Sequence, residues 1–247
     1  MVYLDLELLG ITLPTAGFLI ASLLMFRKAW KTRENTDAFR TNLFFAIGFV
    51  FQAIGFFFWF ARLLLYPPNI LVSDPEFSQI ELLFKLAYTF SGIGLPFITF
   101  FGISLAKGSK FFQKHKWIYI LPYIGYAILF YVMYFVIELL PIYHGANSTL
   151  EFTFNLGDPT GLFISLYMTG LLIIPMLVFI YYLKQIGRDS PQFKRVFAIT
   201  IGMLVYTLFI ILEGGKFIPD LIFDVRIGIF FGMLILIYSL YFMKIKK

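Results

Sequence analysis

Long apolar stretches alternate with short polar connections along the whole chain. Seven stretches are apolar and long enough to cross a bilayer as helices, because a spanning helix needs about 20 such residues. They cover approximately residues 6–26, 42–66, 82–106, 117–140, 162–183, 196–212 and 221–243. Each is too long for a strand, and the alternation typical of a transmembrane barrel is missing. The pattern predicts an all-α integral membrane protein, a single-domain bundle of seven transmembrane helices.

The longest connection, residues 141–160, shows a different pattern. Its segment Thr149–Leu156 alternates polar and apolar residues over eight positions before Gly157. Such alternation predicts a short strand or hairpin over one mouth of the bundle. An irregular loop whose aromatic residues dip into the membrane interface is the alternative. The same connection holds a glycosylation sequon at Asn147, and the sequence leaves its modification undecided.

Basic residues are distributed unevenly among the connections. Sixteen of the twenty Lys and Arg residues fall in the first, third and fifth connections and after the seventh stretch, whereas residues 67–80 and 141–160 contain none. Connections rich in Lys and Arg stay on the cytoplasmic side of a membrane. We therefore expect a multi-pass protein of the cell membrane, with its amino terminus outside and its carboxyl terminus in the cytoplasm.

Composition agrees with this class and excludes several others. Apolar residues make up 60% of the 247 residues and charged residues 14%, against about 45–50% and about 25% in soluble globular proteins. These values exclude a disordered protein, an ordinary soluble enzyme and a nucleic-acid binder. The net charge of +6 reports topology rather than a nucleic-acid partner. Since the chain has no cysteine, disulfides, iron–sulfur clusters and thiolate metal sites are also excluded.

Groups suited to catalysis or to holding a cofactor are scarce. The two histidines, His115 and His144, fall in connections on opposite sides of the predicted membrane, so they do not share a metal ion. The sequence has no phosphate-binding glycine loop and no HExxH motif, and no histidine lies within a span to complete a catalytic triad. We therefore expect no enzymatic activity, no cofactor and no metal site.

Charged residues at membrane depth are the strongest functional indication. An ionisable side chain in lipid is costly and normally faces the bundle interior or water. The candidate ligand-binding residues, near the outer ends of the spans, are Arg62, Glu81, Lys85, Glu138, Glu213, Asp224 and Arg226. They form either an outward-facing pocket between the second, third, sixth and seventh helices, which binds a small polar ligand, or a rim of ion pairs that holds the helix ends together.

Spacing adds detail to these candidates. Glu81 and Lys85 are four residues apart on one helix face, so we expect them to pair. Asp224 and Arg226 are two apart and point to different sides of the seventh helix. We therefore expect their partners on other helices.

Prolines and glycines mark positions where helices bend or pack closely. On the third and fifth helices these are Gly92, Gly94, Pro96 and Pro175. They indicate either a hinge in a pocket wall or close helix packing. On the seventh helix, Gly228 and Gly232 form a GxxxG face that permits close backbone approach. The partner of that face is either a helix of the same bundle or a second copy in a homodimer.

Two resemblances to known families bear on function. Seven helices with an outside amino terminus resemble microbial rhodopsins, but Gly228–Leu234 in the middle of the seventh helix lacks the lysine that binds retinal, and Lys216 precedes that helix. The segment Lys85–Gly102 resembles the third helix of the seven-helix amino-terminal sensor region of prokaryotic histidine kinases. The run Arg188–Arg195, before a glycine-containing sixth helix, resembles the same family, and His144 is similar in placement to a histidine in its outer loop.

The second resemblance implies a receptor or sensor. These 247 residues contain no dimerisation helix, phosphorylatable histidine or ATP-binding domain of that family, so we expect the signal to pass to a separate cytoplasmic signalling protein. The other expected partners are the lipid bilayer, a small polar ligand and, in one alternative, a second copy. A small seven-helix transporter and a structural subunit of a membrane complex are the rival interpretations.

Overall fold

The computed structural model describes residues 2–67, 69–108, 111, 114–115, 117–137, 139–144, 149–215 and 221–243. Within these ranges, the helices of 16 residues or more are α1 (Val2–Lys31), α2 (Thr36–Leu65), α3 (Phe77–Lys107), α4 (Trp117–Phe135), α5 (Pro159–Gln185), α6 (Phe193–Gly215) and α7 (Ile222–Ile237). A hairpin of β1 (Leu140–His144) and β2 (Thr149–Thr153) lies between α4 and α5. A π-helical segment, Tyr238–Phe242, continues α7.

Six helices are long and apolar enough to cross a membrane, namely α1, α2, α3, α5, α6 and α7 with its π-helical continuation. The apolar part of α4, Ile120–Phe135, is shorter. The predicted span 117–140 is too long because the chain leaves the helix after Phe135, and the apolar residues Ile137 and Leu139 are buried in the protein core. The protein is a mainly helical, multi-pass membrane bundle.

Large apolar side chains cover the outside of the bundle. Leu23 on α1, Leu64 on α2, Leu177 on α5 and Phe231 on α7 are all more than half exposed. In water a surface of this kind promotes aggregation, whereas lipid chains solvate it. The bundle is therefore suited to contact with a lipid bilayer.

Polar caps set where two of the helices begin. The side chain of Asn35 accepts a hydrogen bond from the backbone N–H of Ala38 at 3.1 Å and starts α2. The carboxylate of Asp158 accepts from the backbone N–H groups of Thr160 and Gly161 and starts α5. Each cap pairs a backbone donor that has no partner within the helix. These caps place the helix starts several residues earlier than the apolar pattern predicts.

Glycines allow neighbouring helices to approach at their backbones. A Cβ atom on Gly94 of α3 would lie 2.7 Å from the carbonyl oxygen of Gly48 on α2. A Cβ atom on Gly232 of α7 would lie 2.7 Å from the backbone nitrogen of Tyr206 on α6. Gly228, the other half of the GxxxG face, lies against the ring of Phe209 on α6. In this structure the GxxxG face thus contacts a helix of the same chain.

A group of interlocked aromatic rings fills the centre of the bundle. Phe18, Phe45, Phe49, Phe56 and Phe101 are buried. Their ring centroids are 4.2 Å apart in the closest pair, Phe45 and Phe49, and 5.4 Å apart between Phe18 and Phe49. Since lipid is as apolar as the side chains, packing of this kind, rather than exclusion of water, holds helices together in a membrane.

The β-hairpin docks onto one end of the bundle, which we call the hairpin end. The first five residues of the alternating segment, Thr149–Thr153, form β2, which pairs antiparallel with β1, and the rest of the segment is not a strand. The ring of Phe152 packs 5.2 Å from that of Phe84 on α3, and the Tyr88 hydroxyl donates to the Phe152 carbonyl at 2.8 Å. The hairpin is therefore fixed to α3 by both apolar and polar contacts.

At the opposite end, which we call the basic end, the π-helical segment is joined to two other helices. Arg195 of α6 donates to the carbonyl oxygens of Ser239 and Leu240, at 3.0 Å each. The ammonium group of Lys28 on α1 donates to the same Leu240 carbonyl. Carbonyls at a helix end have no partners within the helix, so these cations satisfy them and connect α1, α6 and α7.

Candidate functional site

A buried ion pair at the hairpin end joins two antiparallel helices. Glu213 lies near the end of α6 and Arg226 near the start of α7, the next helix in the chain. Arg226 Nε donates to Glu213 Oε1 at 3.1 Å, and Arg226 Nη2 lies 3.0 Å from the same oxygen. Both side chains are almost fully buried. The sequence predicts both residues near the same end of the bundle and a partner for Arg226 on another helix, but it does not identify Glu213 as that partner.

The same guanidinium also binds the β-hairpin. Arg226 Nη2 lies 2.5 Å from Glu151 Oε1 on β2. Glu151 is 3% exposed, although its place in an alternating strand predicts a solvent-facing side chain. The strand lies against the ends of the helices, so both of its faces are covered. Arg226 therefore connects α6, α7 and β2 at one point.

A second buried arginine extends this group of charges. Arg62 on α2 is 1% exposed and donates from Nη2 to the Pro67 carbonyl at 3.2 Å. It interacts electrostatically with Glu151 and with Glu7 of α1, which is itself 3% exposed. Glu7 acts electrostatically on Arg226 as well. We call Glu7, Arg62, Glu151, Glu213 and Arg226 the charge cluster; with each group ionised, these five side chains carry a formal charge of one negative unit.

A cavity of about 280 Å³ lies beside the charge cluster, between α2, α3, β2, α5 and α6. Its volume is close to the lower limit for pockets that hold small molecules, about 300 Å³. Its walls are mainly apolar and include the aromatic residues Phe56, Trp59, Tyr88 and Phe154. Of the five charge-cluster residues, Glu213 is the one that lines the cavity. The cavity thus combines apolar walls with a carboxylate.

Other polar groups reach the same cavity. Gln52 of α2 donates from Nε2 to the Ser91 carbonyl on α3 at 2.9 Å. Ser91 Oγ is buried and has no hydrogen-bond partner among the described residues. Thr153, Ser165 and Thr169 also line the walls. A few fixed polar groups in an apolar enclosure are typical of sites that orient a small ligand.

Three of the seven predicted ligand-binding residues belong to the charge cluster, namely Arg62, Glu213 and Arg226. Glu81 and Lys85 form the predicted pair on α3, 2.9 Å apart, at a partly exposed position. Asp224 is exposed. Glu138 lies outside the described residues, as do Asn147 and Lys216. The buried site is therefore smaller than the predicted set.

The expected pocket walls need a correction. We predicted the second, third, sixth and seventh helices; α2, α3 and α6 do line the cavity, but α5 and β2 complete it, and no described residue of α7 lines it. The Arg226 side chain of α7 binds Glu213 and Glu151 and therefore does not reach the cavity. The prediction missed Glu7 and Glu151 as site residues. Two arginines in apolar helices need buried carboxylate partners. This requirement was the feature of the sequence that could have pointed to additional acidic site residues.

The residues predicted as a hinge or as packing points lie in helix contacts. Gly94 meets α2 as described above, and a Cβ atom on Gly92 would touch Leu129 of α4 at an ordinary 3.5 Å. Pro96 and Pro175 are buried. A Cβ atom on Gly102 of α3 would lie 2.5 Å from the Cβ atom of Pro175, so the two helices are in close contact at this point.

Among the residues that the structure describes, no three His, Asp or Glu side chains are placed to hold a metal ion. The charge cluster instead pairs carboxylates with guanidinium groups.

Comparison of the sequence with known proteins gives no matching family model and no matching curated protein.

Proposed function

We propose that the protein is a membrane receptor or sensor that binds a small ligand in the cavity at the hairpin end. One observation carries the proposal: Glu213 both lines the cavity and binds Arg226, which in turn binds the β-hairpin. A group that touches Glu213 from the cavity therefore acts on the contact between α6, α7 and β2. The charge cluster lies where a binding event is converted into a change of helix packing.

The mechanism follows from the energetics of the buried charges. Arg226 keeps its position because two carboxylates compensate its charge. A ligand that competes with Arg226 for the Glu213 carboxylate shifts Arg226 towards Glu151. A ligand moves such an equilibrium by its difference in affinity for the two arrangements. The change reaches the basic end through α7, whose π-helical continuation is held by Lys28 and Arg195. A cytoplasmic signalling protein at that end would read the change.

The charge distribution along the chain supports the direction of signalling. The connections at the basic end are rich in Lys and Arg, whereas the hairpin between α4 and α5 contains neither. By the positive-inside rule the hairpin end faces outward. The ligand then enters from outside the cell, and the partner binds inside.

Ligand binding can be tested on the purified protein in lipid nanodiscs. A panel of amino acids, sugars, carboxylic acids and small amines is screened for compounds that raise the unfolding temperature. Thr169→Phe fills the cavity, and Leu177→Phe, on the exposed face of the same helix, is the matched control. We expect stabilising compounds to lose their effect on Thr169→Phe and to keep it on Leu177→Phe.

Two results would contradict the proposal. If no compound raises the unfolding temperature, or if the two variants respond alike, the cavity is not the binding site. If a binding compound accumulates inside proteoliposomes in a protein-dependent way, the protein is a transporter rather than a receptor. If a soluble protein copurifies with the chain, and the compound changes the amount that copurifies, this result would support signalling.

A further inference from the structure

A second concavity lies on the outside of the bundle, away from the charge cluster. It has a volume of about 590 Å³, is open to the outside of the bundle, and runs between α3, α4 and α5. We call it the α4 groove. Its walls are almost entirely apolar and include Ile103 of α3, Leu121 and Ile128 of α4, and Ile174 of α5. Lys107, the last residue of α3, is the charged side chain in its lining.

The groove exists because α4 packs on the bundle at separate points. Towards the basic end, Ile118 joins a small cluster with Phe100 and Ile103, which is distinct from the main core. Further along, the Tyr167 hydroxyl of α5 donates to the carbonyl of Pro122 at 2.7 Å. Both contacts lie near the start of α4, and the groove continues past them to Ile128.

The dimensions of the groove match a lipid chain. Along α5 its lining extends from Phe163 to Val178, which is about 22 Å at the rise of an α-helix. One leaflet of the hydrocarbon core is roughly 15 Å thick. The groove is therefore long enough to hold an acyl chain of one leaflet along its length.

The groove also compensates for the short α4. Its apolar stretch, Ile120–Phe135, has 16 residues and so covers about 24 Å, less than the roughly 30 Å of the hydrocarbon core. A bilayer adapts to a short hydrophobic helix by a local change in lipid packing. A lipid seated beside α4 supplies the missing contact.

The basic end of the groove carries the chemistry for an anionic headgroup. The side chain of Lys107 is exposed, and its ammonium nitrogen lies 4.8 Å from the centre of the Tyr181 ring, which orients it. Trp117 lines the same end and is 57% exposed, as expected of an aromatic residue at the headgroup level. An ammonium group fixed beside an apolar channel complements a negatively charged phospholipid.

We propose that the α4 groove is a specific binding site for an anionic phospholipid, with one acyl chain between α3, α4 and α5 and the headgroup at Lys107. The site is independent of the cavity and of the receptor function. Its ligand comes from the bilayer itself. The bound lipid fixes α4 against α3 and α5.

Native mass spectrometry of the purified full chain measures this binding. The detergent-solubilised protein is titrated with dioleoyl phosphatidylglycerol, which is anionic, or with dioleoyl phosphatidylcholine, which has no net charge. Lys107→Gln removes the groove charge, and Lys184→Gln removes an exposed lysine near the same end as a matched control. Ile174→Trp fills the groove, and Leu177→Trp places the same side chain on the exposed face of α5 outside it.

The proposal makes distinct predictions for the two kinds of variant. Lys107→Gln should lower phosphatidylglycerol affinity roughly five-fold, the effect of one basic residue at a membrane surface, and leave phosphatidylcholine binding unchanged. Ile174→Trp should weaken the binding of both lipids, whereas Lys184→Gln and Leu177→Trp should behave like the unmodified protein. Equal effects of Lys107→Gln and Lys184→Gln would show an unspecific surface charge effect, and equal effects of the two tryptophan variants would exclude the groove; either result overturns the proposal.

Discussion

Arg226 on α7 donates through Nη2 to Glu151 on the β-hairpin, 2.5 Å away and 75 positions apart in the sequence. The same nitrogen lies 3.0 Å from Glu213 on α6. A single guanidinium group thus joins the consecutive helices α6 and α7 to the β-hairpin, which is distant in the sequence. Removing one partner of a buried ion pair is strongly destabilising, because it leaves an uncompensated charge in an apolar environment.

Arg226→Ala is therefore expected to lower the free energy of unfolding by about 3–5 kcal/mol, because it leaves Glu151 and Glu213 buried without the cation they share. Lys85→Ala is the matched control, since Lys85 also pairs with an acidic side chain but at a partly exposed position. That variant should lose less than about 1 kcal/mol. Unfolding in detergent, followed by the change in helical circular dichroism, measures both. Losses of equal size would show that the hairpin contact is not a buried structural pair.

Gly94→Ala should destabilise the protein by about 1–3 kcal/mol. The added methyl group would lie 2.7 Å from the Gly48 carbonyl and would push α2 and α3 apart. Gly170→Ala on α5 is the control, because nothing lies within 4 Å of a Cβ atom at that position. It should be neutral or slightly stabilising, since alanine favours a helix more than glycine does. The unfolding temperatures compare the two, and a stable Gly94→Ala variant would contradict the close contact.

Ser91→Ala is expected to leave stability unchanged or to raise it slightly, because the buried hydroxyl has no partner among the described residues and leaving it unpaired is costly. Tyr88→Phe, close by on α3, removes the hydrogen bond to the Phe152 carbonyl and should cost about 0.5–1.5 kcal/mol. The same unfolding measurement tests both variants. A clear loss in Ser91→Ala would show that the hydroxyl is engaged by a molecule in the cavity.

The orientation of the chain can be tested by labelling, since the protein has no cysteine of its own. Ser73→Cys lies between α2 and α3, and Asp189→Cys lies between α5 and α6, both at exposed positions. We expect a membrane-impermeant maleimide to label Ser73→Cys in intact cells and Asp189→Cys after lysis. The reverse pattern would invert the proposed topology.

Much of the fold was predictable from the sequence, because the length and apolar character of a helix are local properties. Six helices of spanning length and the pair of Glu81 and Lys85 follow directly from such local patterns. The end of α4 was not predictable in this way. Ile137 and Leu139 look like membrane residues in the sequence, and only the fold shows that they are buried in the protein core.

The site was predictable in part, for the same reason. A buried arginine in an apolar helix is visible in the sequence, so Arg62 and Arg226 could be identified. Their carboxylate partners depend on which segments fold over the helix ends, and the sequence leaves that open. Glu151 sits at a position that alternation assigns to solvent, and tertiary contact with Arg226 overrides that assignment.

The π-helical end of α7 gives two of the basic residues a structural role inside the protein. Lys28 and Arg195 count among the cations on which the expected orientation rests. Arg195 donates to the carbonyl oxygens of Ser239 and Leu240, and Lys28 donates to that of Leu240. Both are therefore internal contacts, and the positive field at the basic end comes from the other lysines and arginines. Neutralising Lys28 would therefore weaken the contact between α1 and the end of α7 more than it would change the orientation of the chain in its membrane.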